Sequence, residues 1–270
     1  MEPEVERLLR SMQAAGVRRL PAPRPATEAG PRASEPRTTE PGATPPAPAS
    51  AADRPRAGSS APAPASFTPN LFSAGRPAAA PAVQDPEAEL AAVAREVAEC
   101  RRCKLCEARN KTVPGEGSTS ARILFVGEGP GADEDRTGRP FVGRAGQLLD
   151  DIIVKGMKLR REDVYIANVV KCRPPGNRVP EPDEAAACAP FLDRQIAAIR
   201  PAVICALGAT AVRRLLDDER SMSSLRGRAY EYRGIPVIVT YHPAYLLRNP
   251  AAKVHTWQDI QKVMELARRG

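Results

Sequence analysis

From residue 86 onward, short apolar runs alternate with amphipathic stretches. "RILFVG" (122–127), "VYIANVV" (164–170), "AVICALG" (202–208) and "IPVIVTY" (235–241) are apolar almost throughout rather than at every second position. That is the pattern of strands covered on both faces. Around them, "PEAELAAVAREVAEC" (86–100), "GQLLDDIIVKG" (146–156), "PDEAAACAPFLDRQIAAI" (182–199), "ATAVRRLLDD" (209–218) and "HTWQDIQKVMELARR" (255–269) read as helices. In the first of these, Leu90, Val93 and Val97 share one helical face. The order predicts an α/β fold, a three-layer α/β/α sandwich around a central four-stranded parallel sheet. Sites in such sheets gather beyond the carboxyl ends of the strands. Three chemically rich segments start there: "GEGPGADEDRTGRPFVGRAG" after the first strand, "KCRPPGN" after the second and "HPAYLLRNP" after the fourth.

The N-terminal part of the chain breaks this pattern. Residues 1–86 hold 17 of the 29 prolines and only two aromatics, Phe67 and Phe72. So little apolar surface does not offset the entropy of ordering, which predicts a long disordered Pro/Ala-rich segment before a folded domain at 87–270. Within the segment, "PEVERLLRSMQAAG" (3–16) puts Val5, Leu8, Leu9, Met12 and Ala15 on one stripe. A short helix there is marginal alone, and reads either as a bare start-of-chain helix or as a face that docks on the main domain or on a protein partner.

Charge extends the picture. Of the formal +8, residues 87–270 contribute 30 basic minus 24 acidic residues, or +6. Such an excess suits nucleic acid as a partner, although arginine-rich composition alone produces the same value. No run approaches the roughly 18 apolar residues of a membrane span and no export signal opens the chain, so a soluble, cytoplasmic, monomeric protein without membrane attachment is expected. In that compartment six cysteines are expected to be reduced, which directs attention to metal binding or catalysis. Cys205, inside a buried strand, reads as core. Cys100 and Cys103 form a C-x2-C pair, Cys106 lies three residues on, and Cys172 and Cys188 flank the second rim loop. Free thiols, a zinc ion and an iron–sulfur cluster all remain open on spacing, with the wide second pair suiting a cluster better than zinc.

Gly127, Gly129 and Gly131 alternate with Glu128 and Pro130, so backbone can approach a flat ligand closely. The loop has neither the register of a dinucleotide fingerprint nor the Gly-Lys-Ser/Thr of a phosphate loop. Phe141 sits between glycine-rich stretches, either as a stacking ring or as a plug under the loop. Asn168 interrupts an apolar strand, where an amide needs a partner such as a base edge. His242 follows the fourth strand and is placed to stabilise negative charge, whereas His255 opens the last helix.

Together, "GEGPGADEDRTGRPFVGRAGQLLD", "NVVKCRPPGNRVP", "YHPAYLLRNP" and the four spaced cysteines resemble the family 4 uracil-DNA glycosylases, over roughly residues 88–269. The resemblance implies excision of flipped uracil from DNA in base excision repair. It implies Cys100, Cys103, Cys172 and Cys188 as ligands of a 4Fe-4S cluster, with Cys106 outside the ligand set. It implies a base pocket of Gly127, Glu128, Gly129, Phe141, Asn168 and His242, and DNA contacts from Leu246 and Leu247 as wedge candidates and Arg248 at phosphate. Gly129 stands where many glycosylases carry a water-positioning aspartate, leaving Glu128 or Glu134 for that role. Gly131 stands where relatives use a tyrosine to exclude thymine, a task left to Glu134 or the loop path. A product-trapping relative carries a histidine in the loop after the second strand, and none is present here. A noncatalytic iron–sulfur DNA-binding module and a zinc-binding interaction protein are the other readings.

Overall fold

The computed structural model describes residues 83–269. The N-terminal segment, with its helix expected at 3–16, lies outside the described residues. The sheet has six strands: β1 (Glu116–Gly117), β2 (Ile123–Gly127), β3 (Tyr165–Asn168), β4 (Val203–Leu207), β5 (Ala229–Tyr232) and β6 (Ile235–Thr240), in the order β1-β3-β2-β4-β6-β5. The four expected strands are the central β3-β2-β4-β6, and every pairing among them is parallel. The four-stranded expectation is therefore corrected by two antiparallel edge strands, β1 beside β3 and β5 beside β6. Neither edge carries a strong apolar run. β1 is two residues long, and β5 is "AYEY", exposed and half-buried by turns.

The central strands are buried almost throughout, and successive residues alternate between two cores, one on each face of the sheet. Leu124 and Val126 join one core with Val93 and Val97 of α1 (Pro86–Glu99) and Leu192 and Ile196 of α5 (Pro182–Ile199). Ile123 and Phe125 join the other with Leu149 of α4 (Arg144–Asp150) and Ile260 and Val263 of α9 (Lys253–Arg269). The remaining helices are α2 (Leu105–Ala108), α3 (Ala132–Thr137), α6 (Ala209–Leu216), α7 (Met222–Leu225) and α8 (Pro243–Arg248). Cys205 is fully buried in β4, as its neighbours required, and burial pushes its thiol pKa well up. Among the described residues no helix is long and apolar enough to cross a membrane.

The chain leaves β2 for β3 on one side and returns through α5 to β4 on the other. That reversal opens a crevice beyond the carboxyl ends of β2 and β4, where ligands of such sheets bind.

Candidate active site

Close packing explains the glycines at the end of β2. A Cβ on Gly127 would lie 2.4 Å from Asn168 Oδ1 and 2.5 Å from Phe141 Cζ, and one on Gly129 would lie 2.8 Å from Val170 Cγ2. Only glycine lets this loop lie against the end of β3, where the amides of Val169 and Val170 donate to the carbonyls of Gly127 and Glu128 at 3.0 and 3.1 Å.

Each carboxylate of the loop has its own partners. Glu128 reaches across the crevice, and its Oε2 accepts from Thr210 Oγ1 at the start of α6, leaving Oε1 without a hydrogen-bond partner among the described residues. Glu134 is committed to backbone: Oε2 accepts from the amide of Gly131 at 3.0 Å, and Oε1 from those of Val142 and Gly143 at 2.9 Å each. Glu134 thereby staples the glycine loop to the segment that carries Phe141.

Phe141 adopts a left-handed backbone with φ 50°, a strained choice for a residue with a Cβ. Besides the Glu134 staple, Arg161 holds it by donating to the carbonyls of Pro140 and Phe141 while pairing with Glu116 and Asp150. The ring is buried in the core beneath the loop and lies 5.5 Å from the His242 ring, tilted by 32°. It fills the core and also faces the site.

Asn168 ends β3, almost fully buried, and its Oδ1 has no protein partner. A buried acceptor in that state costs free energy on the order of 1–3 kcal/mol until a donor reaches it. His242 caps α8, its Nδ1 accepting from the amide of Ala244 at 3.2 Å. Burial, and secondarily the Arg248 cation, push its pKa from 6.5 down to about 4. The imidazole is thus neutral at pH 7, and with Nδ1 accepting, the proton sits on Nε2 as a donor.

The rim after β6 separates the two wedge candidates by exposure. Leu246 is buried under α8, because its position in the short helix turns it inward, whereas Leu247 is 37% exposed and Arg248 is exposed. Thr210 and Arg161 escaped sequence reading, since each lies in an ordinary helical or turn segment. Their roles arise only when the fold brings them to Glu128 and Phe141.

A second pocket lies behind the site. Cys100, Cys103, Cys106, Cys172 and Cys188 line it together, with Arg109 and Lys171. Arg109 Nη1 donates to Cys172 Sγ at 3.1 Å and the Lys171 amide to Cys188 Sγ at 3.3 Å. Burial raises the thiol pKa of Cys103, Cys172 and Cys188, that of Cys188 to about 11. Among the described residues no group of His, Cys, Asp and Glu closes on a single metal ion. Five thiols lining one pocket, two of them accepting N–H hydrogen bonds, form a donor set for a thiolate-bound group.

The family model of the uracil DNA glycosylase superfamily matches residues 114–261. The chain is similar to the type-4 uracil-DNA glycosylase of Thermotoga maritima, 49% identical over 181 residues that cover 66% of this chain and 94% of that protein. It is 46% identical to the type-4 enzyme of Sulfurisphaera tokodaii over 183 residues, 65% of this chain and 83% of that protein. It is 33% identical to the type-5 enzyme of Pyrobaculum aerophilum over 155 residues, 52% of this chain and 68% of that protein.

The state of His242 is directly measurable. Because its folded pKa lies below the unfolded value, the neutral form persists as pH falls through 6.5, and protonation destabilises the fold progressively from there towards 4. Titration of ring-labelled protein by NMR is expected to place His242 near 4. A midpoint near 6.5 contradicts the depressed pKa, and one above about 7 contradicts the neutral donor.

Proposed function

The chain belongs to the uracil DNA glycosylase superfamily, and from that membership we propose how its rim performs the excision of uracil from DNA. The observation that carries the reading is the unpartnered Asn168 Oδ1, which borders Gly127 together with the Phe141 ring, itself 5.5 Å from the His242 ring. Uracil presents an N3–H donor beside an O4 acceptor, which matches the acceptor and donor of one amide group. Cytosine lacks the N3–H and offers an amine in place of O4, so the same amide meets it wrongly.

A base inside a duplex cannot reach this pocket, so the nucleotide is extruded at a cost of roughly a few kcal/mol. Phe141 stacks on the extruded ring. As the N-glycosidic bond lengthens, negative charge gathers on the departing uracil and positive charge on the sugar. His242 donates its Nε2 proton in a hydrogen bond to O2 while remaining neutral in the resting enzyme, and a preorganised donor of this type contributes about 3–4 kcal/mol. Glu128 takes the water-positioning role, held by Thr210 through one oxygen with the other free. Glu134, with both oxygens engaged by backbone, shapes the pocket instead. A Cβ at Gly131 would sit 2.7 Å from its Oε2, so the carboxylate occupies the space where relatives place a bulky side chain against the base C5 methyl. Leu247 is the wedge and Arg248 the phosphate contact.

The five-thiol pocket fits a 4Fe-4S cluster, with Cys100, Cys103, Cys172 and Cys188 as its ligands. Bound there, the cluster would tie the end of α1 to the β3–α5 connection through Cys172 and to α5 through Cys188. Arg109 and the Lys171 amide offset thiolate charge by donating to sulfur.

Two experiments test this reading. Incubated with a uracil-containing oligonucleotide and no added metal or nucleotide, the purified protein is expected to leave alkali-labile abasic sites; a strand that survives alkali intact contradicts it. Cys172→Ala is expected to lose bound iron and visible absorption together with thermal stability, and an unchanged spectrum contradicts the ligand assignment.

A further inference from the structure

Next to the uracil pocket lies a second cleft of about 360 Å³, lined by Gly208, Met222, Ser223, Tyr241, His242 and Tyr245. Its size falls within the range of small-molecule sites, roughly 300–1,000 Å³. His242 is shared between the two spaces: Phe141 lies 5.5 Å from its ring on the uracil side, and the residues before it and three after it line the second cleft. Those two residues, Tyr241 and Tyr245, stack with centroids 4.8 Å apart and planes 25° from parallel.

The stack is anchored at one end. The Arg226 guanidinium lies 5.8 Å from the Tyr241 ring and is fixed by the buried Asp259 carboxylate, at 3.1 Å to each oxygen, and by the carbonyl of His255 at 2.7 Å. Tyr245, by contrast, is 38% exposed, one of few large apolar side chains so open in the described domain. A rigid aromatic surface is therefore held against the histidine of the excision site and presented to solvent.

We propose that this cleft is a second nucleobase site, in which the base adjoining the flipped uridine stacks on Tyr245. The inference rests on the glycosylase reading above. The substrate is a polymer: a uracil placed between Phe141 and His242 has neighbours one phosphodiester away, and the cleft shares His242 with that uracil. Aromatic faces accept any of the four bases, so the site contributes affinity without sequence preference. It acts most strongly on single strands, where the neighbouring base is not already stacked in a duplex.

The test uses single-stranded oligonucleotides with one uridine and either flanking nucleotide replaced by an abasic tetrahydrofuran. Binding is read by fluorescence anisotropy on strands carrying 2′-fluoro-2′-deoxyuridine, which resists release, and excision on the ordinary deoxyuridine. For the wild-type protein, removing the base on one side is expected to weaken binding roughly tenfold, the scale of a lost base–aromatic stack. Tyr245→Ala is expected to bind the intact strand about as weakly and to be indifferent to that removal, while Tyr245→Phe retains the wild-type pattern. Equal flanking-base penalties in wild type and Tyr245→Ala overturn the proposal, as does a wild-type protein indifferent to both flanks. A wild-type protein that shows flank-dependent binding but releases no uracil sinks the glycosylase reading and upholds the stacking site.

Discussion

A buried hydrogen-bond acceptor without a protein partner is the constraint on which the site turns. Asn168 lies at the end of β3, registered beside Gly127 of β2, and both positions are fixed by a sheet buried on both faces. The strand cannot shift to give Oδ1 a partner without breaking that register and moving its apolar neighbours. The surrounding features keep the position open to a flat ligand. Glycine replaces any side chain that would cover the amide, and Glu134 and Arg161 hold Phe141 in a left-handed conformation beside it.

The thiol pocket and the site are joined through one buried residue. Lys171 donates from its amide to Cys188 Sγ, and from its Nζ to the carbonyl of Asn168 at 2.8 Å and to Gln195 Oε1 at 2.7 Å. Burial lowers the Lys171 pKa to about 8, with the nearby Cys188 acting in the opposite direction, and its ammonium donates hydrogen bonds to the Asn168 and Gln195 oxygens. Gln195 in turn donates to the Pro114 carbonyl and to the Tyr165 hydroxyl. The carbonyl of Asn168 is thus held by Lys171, the neighbour of Cys172, and Lys171 is itself held by Gln195 of α5, the helix that carries Cys188.

Much of this was legible in the sequence, for identifiable reasons. The four parallel strands announced themselves because burial on both faces requires continuous apolar runs, and the strand-end rule then selected the three rim loops. Edge strands lack that requirement: β5 has one solvated face, and its only cue was the Arg233–Gly234 turn, where both residues take positive φ. Leu246 and Leu247 are indistinguishable in sequence, and only the helical turn of α8 buries the first and exposes the second. Glu128 and Glu134 were equivalent candidates until hydrogen bonds separated them, one to Thr210 across the crevice and the other to three amides. Thr210 and Arg161 carried no local signal, since their partners lie 82 and 20 residues away.

The direct measurement is a crystal structure of the protein soaked in free uracil. The account predicts the ring against Phe141, with N3 within hydrogen-bonding distance of Asn168 Oδ1 and O2 within reach of His242 Nε2. Uracil bound elsewhere, or bound in the pocket with Asn168 Oδ1 turned to a protein donor, would contradict it.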